Sequence, residues 1–144
     1  NIFVGLLSKA GAGRFWLKTK EMDKLGETWV NSLQVKAVTM TAKVIELSGG
    51  NQQKVVIAKS LVQDPELIIF DEPTRGVDVG AIAEIHDIIN RLADEGKAVV
   101  VISSYLPEVM QLSDRLLVTR QGKVVEEFSP LDATEEKLMY AAVH

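Results

Sequence analysis

The residues from Leu47 to Gln52 could bind a phosphate group. Here a serine and two glycines come directly before a helix-forming run, and they offer backbone N–H groups and a small hydroxyl at the positive end of a helix dipole. Such a helix end attracts anions, so the segment predicts a phosphate-binding turn. A lone Ser-Gly-Gly sequence is more often a plain turn, and the prediction therefore depends on the residues further along the chain.

A second segment places two acids directly after a short apolar run, Leu67–Phe70. A buried parallel strand would deliver these acids, Asp71 and Glu72, to its exposed carboxyl end. Adjacent strand residues face opposite ways, so the two acids must serve different roles. Asp71 is suited to hold Mg²⁺, directly or through water, and Glu72 to polarise a water for attack on a phosphate. This order and short spacing of the two segments favour a nucleotide site over two unrelated turns.

These motifs resemble those of the ATP-binding cassette (ABC) ATPases. Residues 47–52 are similar to their signature motif, residues 67–72 to the Walker B strand, and residues 76–78 to the D-loop. Residues 51–54, 73–81 and 103–109 narrow the resemblance to the second cassette of the tandem ATPases that drive bacterial import of ribose, galactose, xylose and related monosaccharides.

The resemblance implies an α/β, P-loop NTPase-like cassette with a parallel sheet core and part of a helical subdomain. Residues 1–46 would be the partial helical subdomain. Residues 47–144 would hold the signature helix, Walker B strand, D-loop, switch region and C-terminal hairpin and helix. It also implies ATP and Mg²⁺ as cofactors and a second cassette and a transmembrane permease as partners. A periplasmic or extracellular sugar-binding protein would be an indirect partner, and the protein would lie at the cytoplasmic face of the membrane.

In this family ATP lies between the glycine loop of one cassette and the signature of another, so the resemblance assigns the residues to two different sites. The residues that would complete the partner's site are Ser48, Gly49, Gly50 and Gln52. Asp71 as the metal ligand and Glu72 as the catalytic base would serve the site on this cassette's own glycine loop. Asp78 would lie near the dimer seam and communicate between the two sites.

The chain departs from the cassette pattern upstream of the signature. Only 46 residues precede Leu47, and this segment does not contain the glycine loop that ends in Gly-Lys-Ser/Thr. The nearest glycine cluster, Gly11-Ala12-Gly13-Arg14, lacks that ending and predicts a flexible turn. We therefore expect a truncated cassette that is inactive as an isolated ATPase.

A second departure follows the strand predicted at Ala98–Ile102, where a cassette normally places a histidine that senses the γ-phosphate. Ser104 occupies that position. The favoured interpretation is that Ser104 is the N-cap of a helix beginning near Pro107, and the alternative is a catalytic hydroxyl beside Glu72. A hydroxyl can hydrogen-bond a phosphate but cannot become cationic as imidazole can. The second cassette of the sugar importers commonly lacks this histidine too, so we expect the site on this cassette to turn over slowly or only to bind.

Periodicity and breakers predict the elements that must position these residues. Helices are expected at Glu21–Ser32, Gln52–Val62 and Ala81–Glu95, with the second helix burying Val55, Ala58, Leu61 and Val62 and keeping Lys54 and Lys59 off that face. The continuously apolar strands Leu67–Phe70 and Ala98–Ile102 are expected to be covered on both faces. A hairpin is expected from Arg115–Arg120 and Lys123–Phe128, followed by a closing helix opened by Thr134.

Composition excludes several classes of protein. The net charge is −4, with Lys and Arg scattered along the sequence, which argues against a nucleic-acid partner. No apolar run approaches the roughly 20 residues needed to span a bilayer. Two alternatives to a sugar importer remain open: a cassette protein that acts in translation or DNA repair, and a regulatory scaffold built on a degenerate ATPase fold.

Overall fold

The computed structural model describes residues 2, 19–36, 39 and 42–144, so the expected turn at residues 11–14 and most of the segment before it lie outside the described residues. The helices are α1 (Thr19–Ser32), α2 (Gly49–Leu61), α3 (Val79–Asp94), α4 (Leu106–Leu112) and α5 (Glu135–Val143), with a single 3₁₀ turn at Val44–Glu46. The strands are β1 (Leu67–Asp71), β2 (Ala98–Ile102), β3 (Leu116–Arg120) and β4 (Lys123–Phe128). Within these ranges no helix is long and apolar enough to cross a membrane.

The chain divides into two compact units. The first comprises residues 1–68 and 74–98, and the second comprises residues 69–73 and 99–144. The phosphate-binding turn predicted from the sequence therefore belongs to the first unit, and the acid pair belongs to the second.

In the first unit, α2 begins at Gly49, three residues before the predicted start at Gln52. Ser48 is the N-cap, and the backbone N–H of Gln52 donates to its carbonyl oxygen over 2.9 Å, so both glycines belong to the first helical turn. The predicted apolar face is confirmed, because Val55, Ala58, Leu61 and Val62 are all buried. Helix α2 contacts α3.

One expectation about α2 is wrong, because Lys54 lies inside the unit with only 1% of its surface exposed. Its Nζ donates to the carbonyl oxygen of Gln34 over 3.1 Å and to Glu84 Oε2 over 2.5 Å. These bonds satisfy the ammonium, which would otherwise be costly to bury. Lys59 is exposed, which agrees with its predicted place off the apolar face.

Helix α3 begins at Val79, two residues before the predicted start at Ala81, because Asp78 caps it. The apolar residues Ile85, Ile88, Ile89 and Leu92 are buried at helical spacing, which gives the helix one buried face. After the helix, Gly96 has a φ of 86°, a conformation that suits glycine at a helix end.

Strands β1 and β2 pair with each other. The N–H of Ala98 donates to the carbonyl of Glu66 beside the starts of the two strands, and the N–H of Glu72 donates to the carbonyl of Ile102 beside their ends. The two strands therefore run parallel. The expectation that both faces are covered is wrong for the described residues. Exposed apolar side chains alternate along both strands, at Leu67, Ile69, Val100 and Ile102. The described elements cover the opposite row of β1, where Ile68 and Phe70 are buried.

In the second unit, β3 and β4 form the predicted antiparallel hairpin, with an irregularity in the pairing between Val118 and Thr119. Its core contains Leu116, Val118, Ala133, Leu138 and Ala141, with side chains of α4 and Phe128 packed against it. Thr134 caps α5, as predicted, because its Oγ1 accepts a hydrogen bond from the N–H of Lys137 over 3.2 Å.

Candidate functional site

Asn51 holds the hydroxyl of Ser48 in the phosphate-binding turn. Its Nδ2 donates to Ser48 Oγ over 2.8 Å, and its Oδ1 accepts from the backbone N–H of Lys36 over 2.7 Å. Ser48 is exposed, and its side chain does not cap the helix that it precedes. Because the hydroxyl oxygen accepts the bond from Asn51, the hydroxyl proton remains available for an oxygen of a ligand. Sequence reasoning missed this role of Asn51.

The two glycines of the turn approach the D-loop residues of the same unit. A Cβ on Gly49 would lie 3.1 Å from the carbonyl oxygen of Gly76. A Cβ on Gly50, which is buried, would overlap the Cβ of Ala81. The prediction assigned these glycines to the approach of a phosphate, whereas the structure shows that packing within the chain also constrains them, by a tight contact at Gly49 and by overlap at Gly50.

The side chain of Gln52 is used within the turn. Its Nε2 donates to the carbonyl oxygen of Leu47 over 2.8 Å. This bond holds Leu47 in place and occupies one of the two amide protons of Gln52, so only the other could bind a nucleotide.

Asp78 has a structural role that the sequence reasoning did not include. Its Oδ1 accepts a hydrogen bond from the N–H of Ala81 over 3.1 Å and so caps α3. The side chain is exposed, and its neighbour Val79 is 86% exposed although it is apolar.

A cluster of ion pairs joins α2 to α3 beyond the phosphate-binding turn. Glu84 on α3 accepts a bond from Lys54 on α2 and a second from Lys36 over 3.2 Å. The hydrogen bond from Lys54, followed by that from Lys36, holds the pKa of Glu84 below its ordinary value. The sequence held a signal for Lys54, because it lies at helical spacing from the buried positions Gly50 and Ala58.

In the second unit the acid pair lies at the carboxyl end of β1, as predicted. Asp71 is the last residue of the strand and its side chain is exposed. Glu72 has a φ of 48°, a left-handed conformation that is uncommon outside glycine. Its backbone N–H donates to the carbonyl of Ile102 over 2.7 Å, which anchors this conformation at the end of β2. Strained backbone of this kind tends to cluster at functional sites.

Glu72 and Ser104 are brought together, as the sequence suggested, but through the backbone. The N–H of Ser104 donates to Glu72 Oε1 over 3.0 Å. The favoured N-cap interpretation of Ser104 is wrong, because α4 begins at Leu106 and its N-cap is Tyr105. The hydroxyl that bonds the N–H of Tyr105, over 3.1 Å, belongs to Ser103. The hydroxyl of Ser104 is thus not committed to capping, and its side chain is exposed.

Asp71 is the candidate metal ligand. Within the described ranges, no cluster of three or more His, Cys, Asp or Glu could hold a metal ion by itself. Mg²⁺ is commonly bound by one or two protein carboxylates together with phosphate oxygens and water. A single exposed carboxylate at a strand end fits that mode of binding.

Comparison with known proteins agrees with the motifs. Residues 7–75 match the family model described as ABC transporter. The chain is 52% identical over 119 residues to the xylose import ATP-binding protein of Thermoanaerobacter pseudethanolicus, covering 83% of this chain and 24% of that protein. It is 56% identical over 114 residues to the ribose import ATP-binding protein of Rhodococcus jostii, covering 79% of this chain and 23% of that protein. The chain therefore spans about a quarter of the length of the curated relatives that it matches.

A solved structure has the same fold. It is a dimeric ATP-binding cassette in a post-hydrolysis state bound to ADP and Pi, with a TM-score of 0.69 and 26% identity. The match covers 81% of this chain and 50% of the other. The predicted fold class, an α/β cassette with a parallel sheet, is confirmed.

Proposed function

Because this chain belongs to the ABC transporter family, we propose that it is part of the ATP-hydrolysing subunit of a bacterial importer for simple sugars. The observation that carries the proposal is the identity of 52% and 56% to a xylose and a ribose import ATP-binding protein over most of this chain. The geometry of the phosphate-binding turn in the first unit and that of the acid pair in the second unit also support it.

The turn of the first unit serves a nucleotide bound to a second cassette. The Ser48 hydroxyl, oriented by Asn51, donates to a phosphate oxygen, and the backbone N–H groups of Gly49 and Gly50 at the positive end of α2 stabilise its charge. Gln52 supports this turn through Leu47. Asp78 fixes the start of α3 at the seam between the cassettes.

The acid pair of the second unit serves the nucleotide bound to this cassette. Asp71 would hold Mg²⁺, which supplies charge neutralisation at the phosphates when bound. Glu72 orients a water and accepts its proton as the oxygen attacks the γ-phosphorus and the bond to the β-phosphate oxygen breaks. The N–H of Ser104 keeps the carboxylate in place. Because position 104 carries no imidazole, this site turns over more slowly than its partner.

Coupling to transport follows from differential binding. ATP binds best to the closed pair of cassettes and so shifts the population toward closure, which the helical subdomain transmits to a transmembrane permease. The subunit thus works at the cytoplasmic face of the membrane, and a sugar-binding protein outside selects the cargo.

The complex of the complete protein with its permease tests the proposal. Purified in detergent, it should release phosphate from Mg-ATP faster when ribose, galactose or xylose is added together with the matching binding protein. Omission of the binding protein is the control. Stimulation by ribosomes or by DNA, and by none of the sugars, would overturn the importer assignment in favour of a cassette that acts in translation or repair.

A further inference from the structure

Gly50 of α2 and Ala81 of α3 meet at a point where the first unit leaves room for only one side chain. A Cβ built on Gly50 falls far inside van der Waals contact with the Cβ of Ala81. The next atoms, Val77 Cγ1 at 3.5 Å and Asp78 Oδ2 at 3.6 Å, would be ordinary contacts. The conflict is therefore between two single carbon atoms, and removing either one relieves it.

This contact lies between the residues that carry the proposed chemistry. Gly50 is two residues beyond Ser48, and Ala81 donates its N–H to the side chain of Asp78. One helical turn further along both helices, Lys54 pairs with Glu84 and fixes the same two helices together. The spacing of α2 and α3 at Gly50 thus determines where the Ser48 hydroxyl stands relative to the D-loop of the same chain.

We propose that Ala81 is a positioning residue that forms a steric pair with Gly50 and thereby sets the place of the signature serine relative to the D-loop within one cassette. The inference rests on the proposed function, in which Ser48 completes the partner's nucleotide site. It adds a requirement that phosphate recognition alone does not impose: the second signature glycine must stay small because Ala81 faces it.

The test is a cycle of four proteins in the complete ATPase: wild type, Gly50→Ala, Ala81→Gly and the double variant. Alanine has a higher helix propensity than glycine, so weaker helix formation cannot explain a loss of activity in Gly50→Ala. Ala81→Gly keeps the backbone N–H that bonds Asp78. Steady-state phosphate release gives kcat and KM for Mg-ATP, and urea unfolding of the same samples separates folding from catalysis.

Gly50→Ala should lower kcat by roughly tenfold or more, since overpacking moves the backbone that carries Ser48. The double variant should recover to within about threefold of Ala81→Gly. The matched control is Gly50→Ala with Ala83→Gly, because Ala83 is exposed on the same helix and its loss gives Gly50 no room. This control should stay as slow as Gly50→Ala.

The proposal is overturned if Gly50→Ala has the kcat of wild type, or if the control recovers as well as the double variant. It is also overturned if Gly50→Ala lowers only the free energy of unfolding while the folded protein keeps its kcat. A wild-type protein that releases no phosphate would instead refute the proposed function. The steric pair would then be judged from the urea unfolding cycle, where additive effects of the two substitutions would refute it.

Discussion

The carboxylate of Glu72 accepts a hydrogen bond from the backbone N–H of Ser104 across the carboxyl ends of two neighbouring parallel strands. The bond fixes the proposed base through the main chain, so the identity of the side chain at position 104 remains free to vary. Position 104 can thus carry a serine without loss of the contact that orients Glu72.

Glu72→Gln should leave most steady-state ATP hydrolysis intact in the complete protein. The amide oxygen keeps the acceptor for the Ser104 N–H but removes the base, and we propose that this site contributes little turnover. The corresponding change in the partner cassette should abolish hydrolysis, because loss of a positioned base costs on the order of 10²–10⁴ in rate. Phosphate release measured in both backgrounds decides the matter. Complete loss with Glu72→Gln alone would show that this cassette holds an essential site.

Ser104→His should raise the turnover of the site on this cassette. The substitution keeps the backbone N–H on Glu72 and adds an imidazole that can become cationic near the γ-phosphate. The measurement is phosphate release with the partner site inactivated by its own Glu→Gln change. Ser104→Asn, which adds a polar side chain without a titrating group, is the control. Equal turnover in the serine and histidine proteins would show that a missing imidazole does not limit this site.

This chain by itself should bind Mg-ATP weakly, with a dissociation constant above ~10 μM, equivalent to less than about 7 kcal/mol of binding free energy. The reason is that its 144 residues do not contain the glycine loop that supplies most phosphate contacts in a cassette. Titration calorimetry measures the constant, with the complete protein as the positive control. Tighter binding would mean that the chain contacts the phosphates through residues outside the recognised motifs.

Gly50→Asp should reduce both ATP hydrolysis and sugar uptake by at least about tenfold. The sequence suggested one reason, repulsion between the new carboxylate and the phosphate. The structure adds another, because even the Cβ of the new side chain collides with Ala81. Hydrolysis is followed by phosphate release, and uptake by entry of radiolabelled sugar into cells. Unchanged uptake would mean that the turn at Gly50 does not close a catalytic site.

Glu84→Gln should lower the free energy of unfolding at neutral pH by ~2 kcal/mol. It leaves the buried Lys54 without its charged partner, and the cost is reduced by solvent because the Glu84 side chain is 34% exposed. The pKa of Glu84 is lowered in the folded protein by its hydrogen bonds from Lys54 and Lys36, so its contribution is present above the unfolded-state pKa and is lost as pH falls through the folded-state pKa.

Urea unfolding of wild type and Glu84→Gln at pH 7 and at about pH 3 checks this effect. The difference between the two proteins should shrink at the lower pH. Asp87→Asn serves as a control, because Asp87 is exposed on the same helix. A difference that stays constant with pH would show that the Glu84 ion pair does not cause it.

Local patterns in the sequence determined much of this protein. Strand β2 and strand β4 begin and end at the predicted residues, and Thr134 caps its helix, because each depends on neighbours within a few residues. The acids Asp71 and Glu72 lie at the carboxyl end of β1 because a short apolar run directly before two charges marks the end of a strand.

Tertiary contacts decided the rest. The burial of Lys54 depends on Glu84 and on the carbonyl of Gln34, 30 and 20 residues away, which no local pattern reveals. Residue types alone favoured Ser104 as a cap, but the start of α4 at Leu106 gave that position to Tyr105. The need for glycine at position 50 also comes from Ala81 on another helix. Local periodicity specifies which residues form helices and strands, whereas partners distant in sequence decide what each buried or functional group contacts.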